Sequence, residues 1–208
     1  MSESGLILLG AGGHARACID VIEQVPGFKL GGLVGEAGEV GRKVLDYPVL
    51  ATDADLPVLR QQYECALVAV GQIHTAKLRR QLFSRAEAAG FHLPVIISPH
   101  AWVSRHASLA EGTIVMHGAI VNAGASIGRN CIINSHALVE HDAQVADHCH
   151  ISTAAVLNGG VTVEQGCFVG SGSIVREGVR LGENSLVGMG AMIRHDLAAG
   201  DRVPGGRK

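Results

Sequence analysis

The chain has 208 residues, a formal net charge of −2, and only 3% aromatic residues against 28 glycines. That length allows one large domain or two small ones. A nearly neutral chain gives no reason to expect nucleic acid or an anionic membrane as partner. The opening stretch MSESGLILLGAGG has no basic segment ahead of its short apolar run, so it reads as a first strand rather than a signal peptide. No apolar run approaches the ~18 residues of a membrane span, and a soluble, cytoplasmic protein is expected.

Residues 5–10 form an apolar strand that ends in glycines. Ala17, Cys18, Val21, Ile22 and Val25 recur at helical spacing, which predicts a helix from Ala15 to Gln24. Leu30, Leu33 and Val34 suggest a second strand. Residues 39–57 are polar, carry Pro48 and Pro57, and hold a short helix near Asp53. Cys65 to Val70 is a third, buried strand stopped by Gly71. Thr75 to Ala89 is an amphipathic helix capped near His74 or Thr75, and Pro94 to Ile97 is a fourth strand. The alternation predicts a small parallel α/β domain of Rossmann-like winding over residues 1–98.

The period then changes to six. Sixteen aliphatic residues recur without a gap from Val103, Leu109 and Val115 to Leu181, Val187 and Ile193. Two residues before each stands Ala, Ser, Thr or Cys, except at Val161 and Val179. Such a pattern is neither helix nor plain strand. It is a hexapeptide solenoid whose triangular coil takes three repeats. Residues 99–196 thus make a little over five coils, about 25 Å tall at ~4.8 Å per coil. The exposed strand edges at its ends need covering, and residues 197–208 form a tail placed to cover one.

Cys131, Cys149 and Cys167 are one coil apart at the small inward position, so a ladder of reduced thiols is expected. No C-x-x-C is present, which argues against a zinc-ribbon or thioredoxin site.

Two motifs carry chemistry. Gly10-Ala11-Gly12-Gly13-His14-Ala15 follows a strand and opens a helix, where backbone N–H groups meet phosphate. It also satisfies G-x-G-x-x-A, with Glu36 near the end of the second strand where a ribose-binding acid would sit. Val70-Gly71 would lay a second backbone edge beside that loop, making a crevice suited to a nucleotide. The other motif is a histidine cluster, Asn134-Ser135-His136 through Glu140-His141-Asp142 to His148-Cys149-His150. The six-residue frame points Cys149 and Ile151 inward and therefore His148 and His150 outward. It sets His141 and Asp142 at a corner, where a carboxylate can hold the imidazole's tautomer and raise its basicity. His106, His148 and His195 read as solvated histidines.

These residues resemble the PglD/NeuD-type sugar acetyltransferases. The order is G-A-G-G-H after the first strand, then N-x-x-x-x-[VI]-E-H-[DE] in a hexapeptide frame, with a second histidine nine residues after the first. The resemblance covers essentially the whole chain. It implies a left-handed parallel β-helix, a homotrimer, and acetyl-CoA lying along the solenoid between two subunits. It implies that the α/β domain holds the nucleotide of a UDP- or dTDP-linked 4-amino sugar rather than NAD. By that resemblance His141 is the general base, Asp142 supports it, and His150, Ser171 and Met189 contact acetyl-CoA. Gly12, Gly13, His14 and Gly71 match the nucleotide-sugar loop. Several members end the second strand with two adjacent acids, where this chain has Gly35 and Glu36, so a single carboxylate is expected there. No metal is required.

Other readings compete. A sialic acid O-acetyltransferase shares much of this architecture. His100, His136 and His141 resemble the ligand spacing of gamma-type carbonic anhydrases, which bind a metal between subunits. A non-catalytic nucleotide-binding protein would leave the His141–Asp142 pair unexplained. An NAD oxidoreductase would need a second catalytic domain where only solenoid follows.

Overall fold

The computed structural model describes residues 3–206. The first two and last two residues, which belong to the opening stretch and the tail discussed above, lie outside them. The chain divides into two compact units. One runs to Gly71 and resumes over Lys77–Ile96; the other takes Gln72–Ala76 and everything from Ile97 onward. Among the described residues, no helix is long and apolar enough to cross a membrane.

The first unit is a five-stranded sheet with helices. Its elements are β1 (Ser4–Leu9), α1 (Gly13–Ile22), β2 (Phe28–Val34), β3 (Lys43–Val44), β4 (Tyr47–Ala51), α2 (Leu56–Leu59), β5 (Cys65–Val68) and α3 (Lys77–Ala88). The strand order is β3-β4-β2-β1-β5. Leu6 to Leu9 of β1 are fully buried, as a central parallel strand covered on both faces must be. The order reverses direction at β1, and in open α/β sheets the carboxyl ends of the strands at such a point are where ligands bind.

Two expectations change here. The polar stretch 39–57 contains a hairpin, β3 paired antiparallel to β4, so the sheet is mixed rather than wholly parallel. The strand near Pro94 is only Ile96–Ile97 and belongs to a solenoid sheet, next to Ile114–Val115. Beside β5 the chain makes a single bridge, Cys65 to His92. Pro94, which has no N–H to donate, then ends the pairing.

The second unit is the solenoid. Two-residue strands stack in three parallel sheets with an eighteen-residue register, as in Ile120 on Leu138 and Ile132 on His150. The inward residues form one continuous column from Val115 to Ile193, with Ala or Cys between the larger side chains. All five cysteines are free and buried. The Cys131, Cys149 and Cys167 thiols donate to the carbonyls of Ala146, Glu164 and Gly182 at 3.2, 3.1 and 3.1 Å. Burial pushes the Cys149 thiol well above its ordinary range, so it stays protonated and inert. The tail closes one end by adding Arg202–Val203 to Leu186–Val187.

The three sheets differ on the outside. One presents Ser108, Ser126, Gln144, Thr162 and Arg180. Another presents Trp102, Ile120, Leu138, Val156, Ile174 and Met192. Of these Trp102 and Met192 are 65% and 62% exposed. A contiguous apolar stripe of this kind marks an interaction surface.

Candidate active site

In the first unit every residue singled out on the glycine loop and its neighbours comes to the carboxyl ends of β1, β2 and β5. Gly12 is the N-cap of α1, with no side-chain cap and no acid in the first turn, so the helix's leading N–H groups keep their affinity for an anion. A Cβ on Gly12 or Gly13 would meet nothing within 4 Å. Open space there leaves room for a ligand to approach the backbone closely. Gly71 lies against His14, whose Cβ would be 3.7 Å from a Cβ added to Gly71. Gly35 lies against Ala11, where an added Cβ would stand 3.2 Å from the Ala11 methyl.

Burial, with the Arg79 charge adding to it, pushes the His14 imidazole down to about 4. His14 is therefore neutral at physiological pH and acts as a hydrogen-bonding group rather than a cation. Arg79 itself is 1% exposed and donates to the Val70 carbonyl at 2.7 Å, just before Gly71. An arginine on the buried side of the 77–88 helix was the signal for it, and helical periodicity alone does not rank it above a core position.

The end of β2 holds more acid than expected. Glu36 and Glu39 form a reciprocal capping box, with the Glu39 carboxylate accepting from the Glu36 N–H at 2.9 Å. The 3₁₀ turn over Ala37–Glu39 folds Glu39 back, so its Oε2 would lie 2.7 Å from a Cβ on Gly35. Two carboxylates thus stand where the sequence predicts one.

In the solenoid, His141 and Asp142 sit together at the corner between the apolar sheet and the polar sheet. The Asp142 carboxylate accepts from His141 Nδ1 at 3.0 Å. That bond fixes the tautomer, since a carboxylate can only accept, and leaves Nε2 with its lone pair. The bond to Asp142 raises the imidazole's pKa above its ordinary value, with partial desolvation opposing it and the Asp142, Glu140 and Glu177 charges adding to the rise. The ring lies over Gly159, where an added Cβ would stand 2.7 Å from Nε2. Behind the pair, Glu140 accepts from the Asn122 amide at 2.8 Å and from the His141 N–H at 3.3 Å. The side chains of His141 and Asp142 are 67% and 73% exposed in the isolated chain.

Backbone geometry sets this region apart. Each turn has one left-handed corner residue, usually glycine, as at Gly112, Gly118, Gly160 and Gly172. Over five successive turns the position is instead held by Asn130, His136, Asp142, His148 and Ala154, with φ between 51° and 60°. Each such residue costs on the order of 1 kcal/mol in backbone strain. Concentrated strain of this kind points to a functional site.

Ser171 and Met189 lie on successive coils of another corner, beyond the far edge of the apolar sheet. Gly190 N–H donates to the Ser171 carbonyl at 2.9 Å, and Ser171 Oγ is 3.0 Å from Ser152 Oγ. Both residues face out, Met189 being 73% exposed. His100 and His136 share that corner, so within one chain they lie at a different corner from His141. No group of three His, Cys, Asp or Glu side chains among the described residues is arranged to hold a metal ion.

His150 departs from the outward, accessible placement read from the repeat. Its ring does leave the coil interior, but it is only 6% exposed. Gln72 packs against it, with its carbonyl oxygen 2.8 Å from Nδ1, and Phe168 packs edge-on with centroids 5.2 Å apart. His148 is half-buried, with Nδ1 3.0 Å from the Asn130 amide, rather than freely solvated.

Comparison with known proteins agrees with this anatomy. The PglD N-terminal domain family matches residues 5–86, and the family described as hexapeptide repeat of succinyl-transferase matches residues 160–194. No curated protein sequence matches the chain. Among solved structures, a histidine-to-asparagine variant of perosamine N-acetyltransferase from Caulobacter crescentus, in complex with CoA and GDP-perosamine, superposes with a TM-score of 0.91 at 36% identity, covering 97% of this chain and 93% of that one. The acetyltransferase domain of PglB from Neisseria gonorrhoeae, in complex with acetyl-CoA, gives 0.89 at 31% identity over 98% and 97%. WeeI from Acinetobacter baumannii, at 19% identity, TM-score 0.83 and 97% coverage of both chains, shares the fold. The glycine loop, the hexapeptide solenoid and 36% identity over nearly the whole length together place this chain in the PglD/NeuD-type family of left-handed β-helix sugar acetyltransferases.

Proposed function

We propose that the protein moves the acetyl group of acetyl-CoA onto the 4-amino group of a nucleotide-activated 4-amino-deoxy sugar, with His141 as general base. The observation that carries this reading is the Asp142–His141 bond, which leaves Nε2 as an outward-facing proton acceptor over Gly159. Relatives support the substrates: the Caulobacter enzyme is an N-acetyltransferase solved with CoA and GDP-perosamine, and the Neisseria domain is solved with acetyl-CoA.

A thioester is already activated, so the protein's task is to position the reactants and manage one proton. The neutral amine nitrogen attacks the thioester carbon, and the carbonyl π pair moves to oxygen. His141 Nε2 takes the proton from the nitrogen. The carbonyl re-forms, the C–S bond breaks, and the imidazolium returns the proton to the departing thiolate. Asp142 stabilises the imidazolium in between. Help of this kind is worth typically 10²–10⁴-fold.

In this reading Gly12, Gly13, His14, Gly35, Glu36 and Gly71 hold the nucleotide sugar, and Ser171 and Met189 flank acetyl-CoA. The carrier is UDP, dTDP or, as in the Caulobacter relative, GDP. The working enzyme is a homotrimer acting in the cytoplasm. The apolar stripe from Trp102 to Met192 supports the trimer, because a neighbouring subunit would bury it. The test is mass spectrometry of products after incubation with acetyl-CoA, a panel of UDP-, dTDP- and GDP-linked 4-amino sugars, and sialic acid. An acetylated amino-sugar nucleotide is expected and names the carrier. Acetylated sialic acid alone would move the protein to O-acetylation, and no product would overturn both.

A further inference from the structure

Two rows of corner residues flank the apolar stripe. One row precedes its strands: Gly118, His136, Ala154, Gly172 and Gly190. The other follows them: Gly124, Asp142, Gly160 and Gly178. All have φ between 54° and 76°. Beyond His141, toward later coils, both rows are small. A Cβ added at Gly160, Gly172, Gly178 or Gly190 would meet nothing within 4 Å, and Ala154 contributes one methyl. Smooth corners of this kind leave room for a slender ligand arm.

His136 is the bulky exception in the first row. It is exposed, and its N–H donates to the His117 carbonyl at 3.0 Å. Its ring lies over Gly118, where an added Cβ would stand 2.5 Å from Nδ1. A position that glycine fills at less strain thus carries an imidazole, and the neighbouring coil leaves it space. Closing identical copies about an axis along the solenoid, with the stripe inward, sets the first row of each copy against the second row of the next. Such a rotation preserves height. His136 and His141 belong to one coil, and over the residues between them the chain rises about 1.3 Å at ~4.8 Å per coil.

We infer that His136 of a neighbouring copy stands opposite His141 and hydrogen-bonds the acceptor sugar, so that each site is completed by a second copy of this chain. This rests on the acetyltransferase reading and the trimer proposed with it. In that reading the CoA arm runs toward Ser171 and Met189, on later coils than His141. The attacking amine is then left the side of the earlier coils, where His136 is the corner side chain level with the base. Its imidazole offers a donor and an acceptor, which suits a sugar hydroxyl.

Two replacements separate this role from a structural one. His136→Gly removes the ring and relieves the backbone, so the melting temperature is expected not to fall. KM for the sugar is expected to rise roughly five- to tenfold, the worth of one hydrogen bond, with KM for acetyl-CoA within about twofold. His136→Asn tolerates the left-handed backbone and keeps a donor and an acceptor, so it should recover most of the sugar KM. An unchanged sugar KM in His136→Gly, or an equal rise in both KM values, overturns the inference. The placement has a test that needs no turnover. With His136→Cys and His141→Cys in the same chain, a short bis-maleimide is expected to join copies into covalent dimers and trimers on a denaturing gel. Wild type, whose cysteines are all buried, should stay monomeric there. Links confined to single chains overturn the pairing. A cross-linking chain whose wild type shows no turnover would sink the acetyltransferase reading and leave the paired corners standing.

Discussion

The α/β unit and the solenoid prepare for chemistry in opposite ways. In the α/β unit the candidate site is mostly what is missing: Gly12 and Gly13 leave open space, Gly35 and Gly71 allow close approach, and α1 begins without a side-chain cap. In the solenoid it is what has been added, side chains at corner positions that glycine would fill at less strain. The difference follows from what each fold exposes. An open α/β sheet offers backbone N–H groups at its strand ends, which suit phosphate. A β-solenoid spends its backbone groups on coil-to-coil bonds, so reactive groups must come from corner side chains. One unit is therefore read by its glycines and the other by its exceptions to glycine.

The sharpest test of the solenoid half is His141→Ala. Turnover is expected to fall about 10²–10⁴-fold, with KM for acetyl-CoA within a few-fold of wild type in steady-state kinetics. Equal losses in kcat and in acetyl-CoA binding would argue against a base. Gly159→Ala probes the same group by displacing the ring and leaving its chemistry unaltered. The new methyl displaces only the exposed imidazole, so the melting temperature should hold while kcat drops by up to about 10²-fold from misplacement. An active Gly159→Ala enzyme would mean the ring does not work from where it lies.

Gly12→Val tests the other half. Because nothing intramolecular meets an added side chain there, the fold should tolerate it. KM for the nucleotide sugar is expected to rise about tenfold, roughly 1.4 kcal/mol of binding, with acetyl-CoA unaffected. A matching loss for acetyl-CoA would break the division of labour between the two units.

Two pH experiments give smaller effects. The acid limb of kcat/KM should lie above the ordinary histidine range because Asp142 raises His141, and Asp142→Asn should move it to lower pH. For stability, the His14 value falls from 6.5 to about 4 on folding. The unfolded chain then binds more protons between those values, so stability is fully present above about 6.5 and is lost as pH falls toward 4. That contributes up to about 3 kcal/mol. His14→Asn should flatten the dependence of melting temperature on pH over that window.

Much of this was legible in the amino-acid order because it rests on periodicity. A six-residue repeat requires a coil, since only that geometry returns every sixth side chain to one interior line, and it put His141 and Asp142 at a corner. The glycine loop was readable for a similar local reason, as a strand running into glycines and then a helix. The β3–β4 hairpin was not, because Lys43–Val44 is too short to show alternation. Glu39 and Arg79 were missed because each reaches its place through a turn or a helix face whose partner lies elsewhere.

His150 marks the division most clearly. Its repeat position determined that it leaves the coil interior, and nothing local could reveal that Gln72, 78 residues earlier, would cover it. Sequence alone determined the solenoid, the glycine loop and the corner pair, because each is set by neighbours within one repeat or one turn. Tertiary structure alone decided the burial of His150, the neutral state of His14 and the second acid at Gly35. Those depend on distances and burial between groups that the chain brings together only after it has folded.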